Sequence, residues 1–193
     1  MYPYKKIRIG LFGGSFNPPH EAHMKLSNFA IKKLKLDFLI FIPTFQSVDK
    51  HKCSYLNGQE RKYMLEISRN KKKTIISTFE LSLQQPVQSI VTIRHFRNFF
   101  KDAELFFLLG DDHLSTLHTW ENIDELVNLI TVVILRRSTA VQLIKLHPEL
   151  TSKLLFLDNP IYIHSSSSVR ENVDFTLLNK KVAQYLKDTK LFA

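Results

Sequence analysis

The stretch Gly10-Leu11-Phe12-Gly13-Gly14-Ser15-Phe16-Asn17-Pro18-Pro19-His20-Glu21-Ala22-His23 is the key to this chain. It begins inside an apolar run over 7–12, broken only by Arg8 and Gly10, short enough for a buried strand. Two glycines follow. Without side chains, Gly13 and Gly14 can take positive φ and let a ligand approach the backbone. Asn17 before Pro18 reads as a helix start, an N-cap followed by proline in the first turn. His20 and His23, three apart, then share one face of that turn. The unpaired amides and dipole of a helix start favour anions. Such a strand, turn and helix start suit a polyphosphate; a tight turn with one capping histidine is the alternative. The glycines at 10, 13 and 14 do not match G-x-G-x-x-G, and no Gly-Lys-Ser/Thr follows to make a P-loop.

The rest of the chain alternates strands with helices. A helix is expected over 20–35, with Ala22, Leu26, Ala30 and Leu34 on one stripe. The apolar run 37–42 reads as a buried strand ending at Pro43. Residues 43–57 are polar and long for an ordinary connection. Helices are expected at 59–68 (Tyr63, Met64 and Ile67 inward), 89–100, 122–129, 140–147 and 174–187. Strands are expected at 74–78, 104–109 and 131–135, with short extended pieces at 154–156 and 161–163. The segment with Glu80 and Pro86 reads as a loop. This order implies an α/β fold, a Rossmann-like parallel sheet flanked by helices, in one domain over 1–193. In such sheets ligands bind beyond the carboxyl ends of the strands. The glycine turn, the Pro43 loop, Gly110-Asp111-Asp112 and Arg136 all follow candidate strands, so they should converge.

Composition bounds the function. With 193 residues, 44% hydrophobic and 23% charged, the chain is ordinary for a globular domain. No apolar run approaches the roughly 20 residues of a membrane span. No secretory apolar region precedes the first strand, and the one cysteine, Cys53, excludes an internal disulfide. A cytoplasmic location is expected. The net charge of +9 suits phosphorylated ligands or nucleic acid, but the lysines are scattered and no nucleic-acid-binding motif accompanies them. The histidines 113, 118, 147 and 164 lack a zinc-like spacing.

Taken together, the motifs resemble those of the bacterial nicotinate-nucleotide adenylyltransferases, of the nucleotidylyltransferase superfamily. GGSFNPPHEAH is similar to their G-G-[ST]-F-[DN]-P-x-H-x-G-H signature. Ala22 stands where that family has a glycine that lets the adenine lie close to the helix backbone. Arg61-Lys62-Tyr63-Met64-Leu65 resembles R-x-x-M-L, and Glu80-Leu81 with Thr92-Ile93 resembles E-L…S-Y-T-x-x-T-L, the triplet replaced by Val87-Gln88-Ser89. Phe107 to Asp112 with Trp120 resembles F-x-x-G-x-D…W, and Val133 to Arg137 a strand ending in R-R. Ser165 to Arg170 resembles I-S-S-T-x-[IV]-R, and Asp49-Lys50-His51-Lys52 loosely a P-P-H-K loop.

The resemblance implies transfer of the adenylyl group of ATP to nicotinate mononucleotide, giving deamido-NAD and pyrophosphate. The attacking phosphate is already an anion, so catalysis is positioning and charge stabilisation. His20, His23 and Arg170 would be the catalytic set, His23 on the α-phosphate and Arg170 on the departing phosphates. Gly13, Gly14, Ser15, Phe16, Gly110, Asp112, Arg136, Ser166 and Ser167 would bind ATP. For Ser166 and Ser167 plain N-capping is the alternative; for Arg136 it is an ion pair with Asp112. Ser89, Thr92, Trp120 and Lys52 would bind the mononucleotide, Trp120 by stacking on the cationic pyridine ring unless it is a core residue. Mg²⁺ is expected to arrive with ATP, with no metal ligand of the protein's own. ATP and nicotinate mononucleotide are the expected partners, with no nucleic acid and no membrane. The alternatives are an adenylyltransferase acting on nicotinamide mononucleotide or phosphopantetheine, and a non-catalytic basic module that binds nucleic acid.

Overall fold

Each central strand carries apolar side chains toward both faces, as a strand buried on both sides must. The computed structural model describes residues 5–46, 56–137, 148–162, 166–172 and 174–191. Six strands form its sheet: β1 (Arg8–Gly14), β2 (Phe38–Pro43), β3 (Thr74–Ile76), β4 (Glu104–Gly110), β5 (Thr131–Leu135) and β6 (Leu154–Leu157). All neighbouring pairs are parallel, in the order β3-β2-β1-β4-β5-β6. The order reverses between β1 and β4, where the doubly wound fold opens a ligand crevice.

Strand alternation sorts the core into two layers. Ile9, Leu11, Ile40, Ile42, Phe107 and Ile134 face one side, with Ile90, Ile93, Phe96 and Leu126. These last belong to α4 (Ser89–Phe99) and α5 (Ile123–Leu129). Phe12, Leu39, Phe41, Leu108, Val133 and Leu135 face the other, with Met24, Leu26, Ala30 and Leu65. These belong to α1 (Glu21–Lys33) and α2 (Gly58–Ser68). Between α2 and α4 lies the short α3 (Phe79–Ser82); the chain closes with α6 (Pro148–Thr151), α7 (Ser166–Asn172) and α8 (Lys180–Thr189). A third cluster, with Met64, Val169, Leu178, Val182 and Leu186, fastens α7 and α8 against α2.

The register brings the strand ends level. Gly14 pairs with Pro43, Phe12 with Leu108, and Gly110 with Leu135. The glycine turn, Pro43, Gly110 and Arg136 therefore leave the sheet along one edge, as their sequence positions predict.

Some expectations change. The segment around Glu80 is a helical turn, α3, and Glu80 is buried. The closing helix expected over 174–187 is broken. Asp174 caps a 3-10 turn at Phe175–Leu177 through Thr176 N–H (2.9 Å), and Asn179 starts α8 by accepting from Lys181 N–H (3.0 Å). Two capping side chains five residues apart make two short helices instead of one. Tyr63 is not on the apolar face: it is 49% exposed and its ring rests against Tyr185. Ile161 and Tyr162 form no strand. Lys52, most of the loop after β2 and the helix expected at 140–147 lie outside the described residues.

Candidate active site

The turn after β1 is held open by what its glycines lack, not by their dihedrals. Neither Gly13 nor Gly14 has positive φ; the left-handed residue is Phe16, at φ 45°. A Cβ on Gly14 would stand 3.2 Å from the Phe16 ring, and one on Gly13 would meet only Phe107, at 3.7 Å. Gly14 thus makes room for Phe16, and Gly13 leaves backbone open for a ligand. The buried Phe16 ring packs edge-on against Phe12, Phe41 and His23. Hydrophobic burial thereby fixes the floor on which the histidines stand.

His20, not Asn17, is the N-cap of α1. Asn17 is buried, and its Oδ1 accepts from the Leu56 N–H at 3.0 Å, so its side chain is committed to another loop. The His20 backbone N–H donates to His23 Nδ1 at 3.1 Å. With Nδ1 accepting, the neutral ring carries its proton on Nε2, as a donor. The two imidazoles stack with centroids 3.7 Å apart. They form one unit on the first turn of α1, His20 only 2% exposed beneath His23.

Arg170 reaches this turn from α7. Its Nη1 donates to the Asn17 carbonyl at 2.6 Å and its Nη2 to Ser167 Oγ at 3.2 Å. Ser166 Oγ donates to the Pro18 carbonyl at 2.9 Å. The serine-arginine segment, almost 150 residues downstream, is thus fastened to the two residues that lead into His20. Ser167 orients the guanidinium, while Ser166 secures the turn.

Arg61 fixes the turn from below. At 1% exposed, it donates to the carbonyls of Leu56, Ser15, Thr44 and Phe45 at 2.7–3.0 Å. Arg61 falls within the R-x-x-M-L-like motif, but nothing in the sequence assigns it this task. The signal available was an arginine among apolar neighbours on the inner face of a helix.

Across the crevice, Gly110 leaves room for the Asp112 and Arg137 side chains. A Cβ there would lie 2.2 Å from Asp112 Oδ1 and 2.6 Å from Arg137 Cδ. It is Arg137 that meets Asp112, Nη1 to Oδ2 at 2.9 Å. Arg136 instead pairs with Asp158 at 2.8 Å, and its backbone N–H and carbonyl are both bound by the buried Asn159. The two arginines part after β5, Arg137 toward Asp112 at the β4 exit and Arg136 toward Asp158 at the β6 exit.

Trp120 is half-buried at the end of a 3-10 turn (Leu117–Thr119), its ring edge-on to Phe107 and His113. Ser89 opens α4 and is half-buried. Thr92, three residues on, is buried and donates its hydroxyl to Glu80 Oε1 at 2.6 Å. Burial pushes the Glu80 carboxyl up to about 7, against the Thr92 bond that favours its anion. The sequence alone gives Glu80 no task.

Among the described residues the arrangement offers donors and cations around a crevice. Among the described residues no three His, Cys, Asp or Glu side chains gather to hold a metal, and no helix is long and apolar enough to cross a membrane.

Residues 11–172 match the cytidylyltransferase-like family. The chain is 33% identical over 192 residues to a probable nicotinate-nucleotide adenylyltransferase of Bacillus licheniformis, covering 96% of this chain and 98% of the relative. It is 31% identical to one of Clostridium novyi, covering 94% and 92%. In structure it resembles a Plasmodium falciparum nicotinic acid mononucleotide adenylyltransferase complexed with NaAD, with a TM-score of 0.76 at 18% identity, covering 96% and 97% of the two chains.

Proposed function

The chain belongs to the nicotinate-nucleotide adenylyltransferases, within the cytidylyltransferase-like family, and we infer from that premise how its own residues divide the work. The protein is an enzyme of NAD biosynthesis that transfers the adenylyl group of ATP to nicotinate mononucleotide, releasing deamido-NAD and pyrophosphate. A new bond joins a mononucleotide phosphate oxygen to the α-phosphorus of ATP as the bond from that phosphorus to the β-phosphate oxygen breaks. No proton need move, so the protein's task is alignment and charge stabilisation.

The observation that carries the assignment is the fastening of Arg170 and Ser166 to the Asn17 and Pro18 carbonyls, at 2.6 and 2.9 Å, directly ahead of the stacked histidines. It supports a single phosphate site built from both ends of the chain. His23 donates from Nε2 to the α-phosphate, where charge grows, and His20 supports its ring and the adjoining phosphate. Arg170 takes the departing pyrophosphate, with Ser167 orienting its fork. Gly13, Gly14, Ser15 and Phe16 shape the nucleotide floor, and Gly110 and Asp112 line the adenosine side, which Arg136 reaches only by leaving Asp158. Ser89, Trp120 and Lys52 receive the mononucleotide, the indole face meeting the pyridinium and Thr92 supporting Ser89 from within the helix.

Mg²⁺ enters with ATP. An ion that takes most of its ligands from phosphates and water needs no protein cage; Asp112, which pairs with Arg137, would reach it through water. When bound, it neutralises phosphate charge. The chain works as one domain in the cytoplasm, without nucleic acid.

The test is pyrophosphate release from Mg-ATP with each acceptor in turn. Release with nicotinate mononucleotide in strong preference to nicotinamide mononucleotide and phosphopantetheine supports this reading. Preference for either of the others reassigns the acceptor. No release, with salt-sensitive RNA or DNA binding, makes the protein a nucleic-acid module.

A further inference from the structure

A buried carboxyl group stands behind the start of α4 with half of its bonding capacity unused. Glu80 is 5% exposed. Its Oε1 accepts from Thr92, and its Oε2 is buried with no hydrogen-bond partner among the described residues. No cation among the described residues pairs with it. Stability alone does not account for such a group, because two apolar side chains of the same shape would serve as well or better.

The surroundings hold Glu80 firmly. Ser77 N–H donates to the Phe41 carbonyl at 2.9 Å, tying the entry of α3 to β2. The Phe79 ring stacks on His95 of α4, 3.8 Å between centroids and 11° between planes. Leu81 fills the space over Gly58, where a Cβ would come within 2.7 Å. Thus α3 is wedged between the start of α2 and the flank of α4. Its one polar contact into α4 is Glu80 to Thr92. Thr92 lies three residues after Ser89, so the two share a face of the first turn.

We propose that Glu80 is a positioning residue for the acceptor mononucleotide: through Thr92 it sets the rotation and height of the first turn of α4, and with it Ser89 and the helix-start amides. A pyridine carboxylate bound there takes its donors from that turn, and a shift of a few tenths of an ångström loosens them. The role rests on the reading of Ser89 as an acceptor contact. Glu80 touches no substrate, and its effect is confined to the acceptor because the histidine-arginine cluster is built on α1 and α7.

Steady-state kinetics with ATP and nicotinate mononucleotide varied separately test this. Glu80→Ala and Thr92→Val each raise the KM for the mononucleotide by about tenfold, the scale of one lost hydrogen bond. The kcat and the KM for ATP stay within about twofold in both. Glu80→Gln, whose amide oxygen still accepts from Thr92, remains close to wild type. The double variant Glu80→Met with Thr92→Val regains thermal stability but keeps the raised KM. A mononucleotide KM that recovers with stability, or equal changes in both KM values, overturns the proposal. Ser89→Ala separates the two layers: if it raises the mononucleotide KM and Glu80→Ala does not, the positioning role alone is wrong. If neither moves it, the reading of Ser89 fails as well.

Discussion

The backbone amide of His20 donates to Nδ1 of His23 across 3.1 Å, and the rings of the two residues stack 3.7 Å apart. A single turn of helix thereby fixes both the plane of the His23 ring and the nitrogen that carries its proton. The donor that results is aligned before any phosphate arrives, so the reaction need not reorganise it.

His23→Ala removes that donor. Turnover is expected to fall by more than about a hundredfold, the range seen when one preorganised donor is lost. His23→Gln, whose amide nitrogen falls near the position of Nε2, should keep part of the rate. Steady-state rates of pyrophosphate release measure both, and a near-wild-type alanine variant removes His23 from the α-phosphate.

Ala22 raises a separate question, since the family signature has glycine there. The residue is buried in the first turn of α1, so its methyl already has a place in the folded chain. Ala22→Gly should therefore leave or lower the KM for ATP, while costing about 0.5–1 kcal/mol of stability through helix propensity. A marked rise in the KM would mean that the pocket has adapted to the methyl group.

Arg61 holds four carbonyls from three segments of chain, a pattern no lysine can copy with one compact ammonium. Both Arg61→Lys and Arg61→Met should lower stability by about 3 kcal/mol or more, because buried carbonyls lose their donors. Turnover should fall with it, since the Ser15 carbonyl belongs to the phosphate turn. Thermal unfolding and rate measurements on both variants decide this, and a lysine variant of wild-type stability would contradict it.

The parallel sheet was legible because strand signals are local: continuous apolar runs bounded by Gly110, Pro43 and Arg136 needed no knowledge of the partner strands. The approach of Arg170 to the turn ahead of His20 and His23 was to be expected from sheet topology and family likeness. What could not be read was which polar atom takes which. Asn17 looked like a cap because Asn before Pro usually is one, yet a loop amide from Leu56 competes for its oxygen. Arg136 and Arg137 were indistinguishable in the sequence, because Asp158 and Asp112, which take one each, lie more than 20 residues away. The segment of Glu80 reads as a loop because its helical turn and burial depend on Phe79 and Leu81 packing against helices distant in sequence. Long-range competition for hydrogen bonds leaves no periodic trace.

Glu80 also makes stability depend on pH, in a direction opposite to that of most carboxylates. Burial holds its folded-state value at about 7, against an ordinary value of 4.5. Between these values the folded chain keeps a proton that the unfolded chain has released. Unfolded chains then bind fewer protons, so stability falls as pH rises. The contribution is fully present below about pH 4.5 and is lost as pH passes through about 7. That span corresponds to about 3 kcal/mol. Glu80→Gln cannot titrate and lacks this slope, whereas every other group contributes equally to both proteins. Urea unfolding at intervals from pH 4 to 8.5 should therefore show the glutamine variant gaining on wild type by about 3 kcal/mol, then holding a constant difference. Parallel curves for the two proteins would mean that Glu80 ionises normally in the folded chain, and that its environment is far wetter than its burial beside Thr92 indicates.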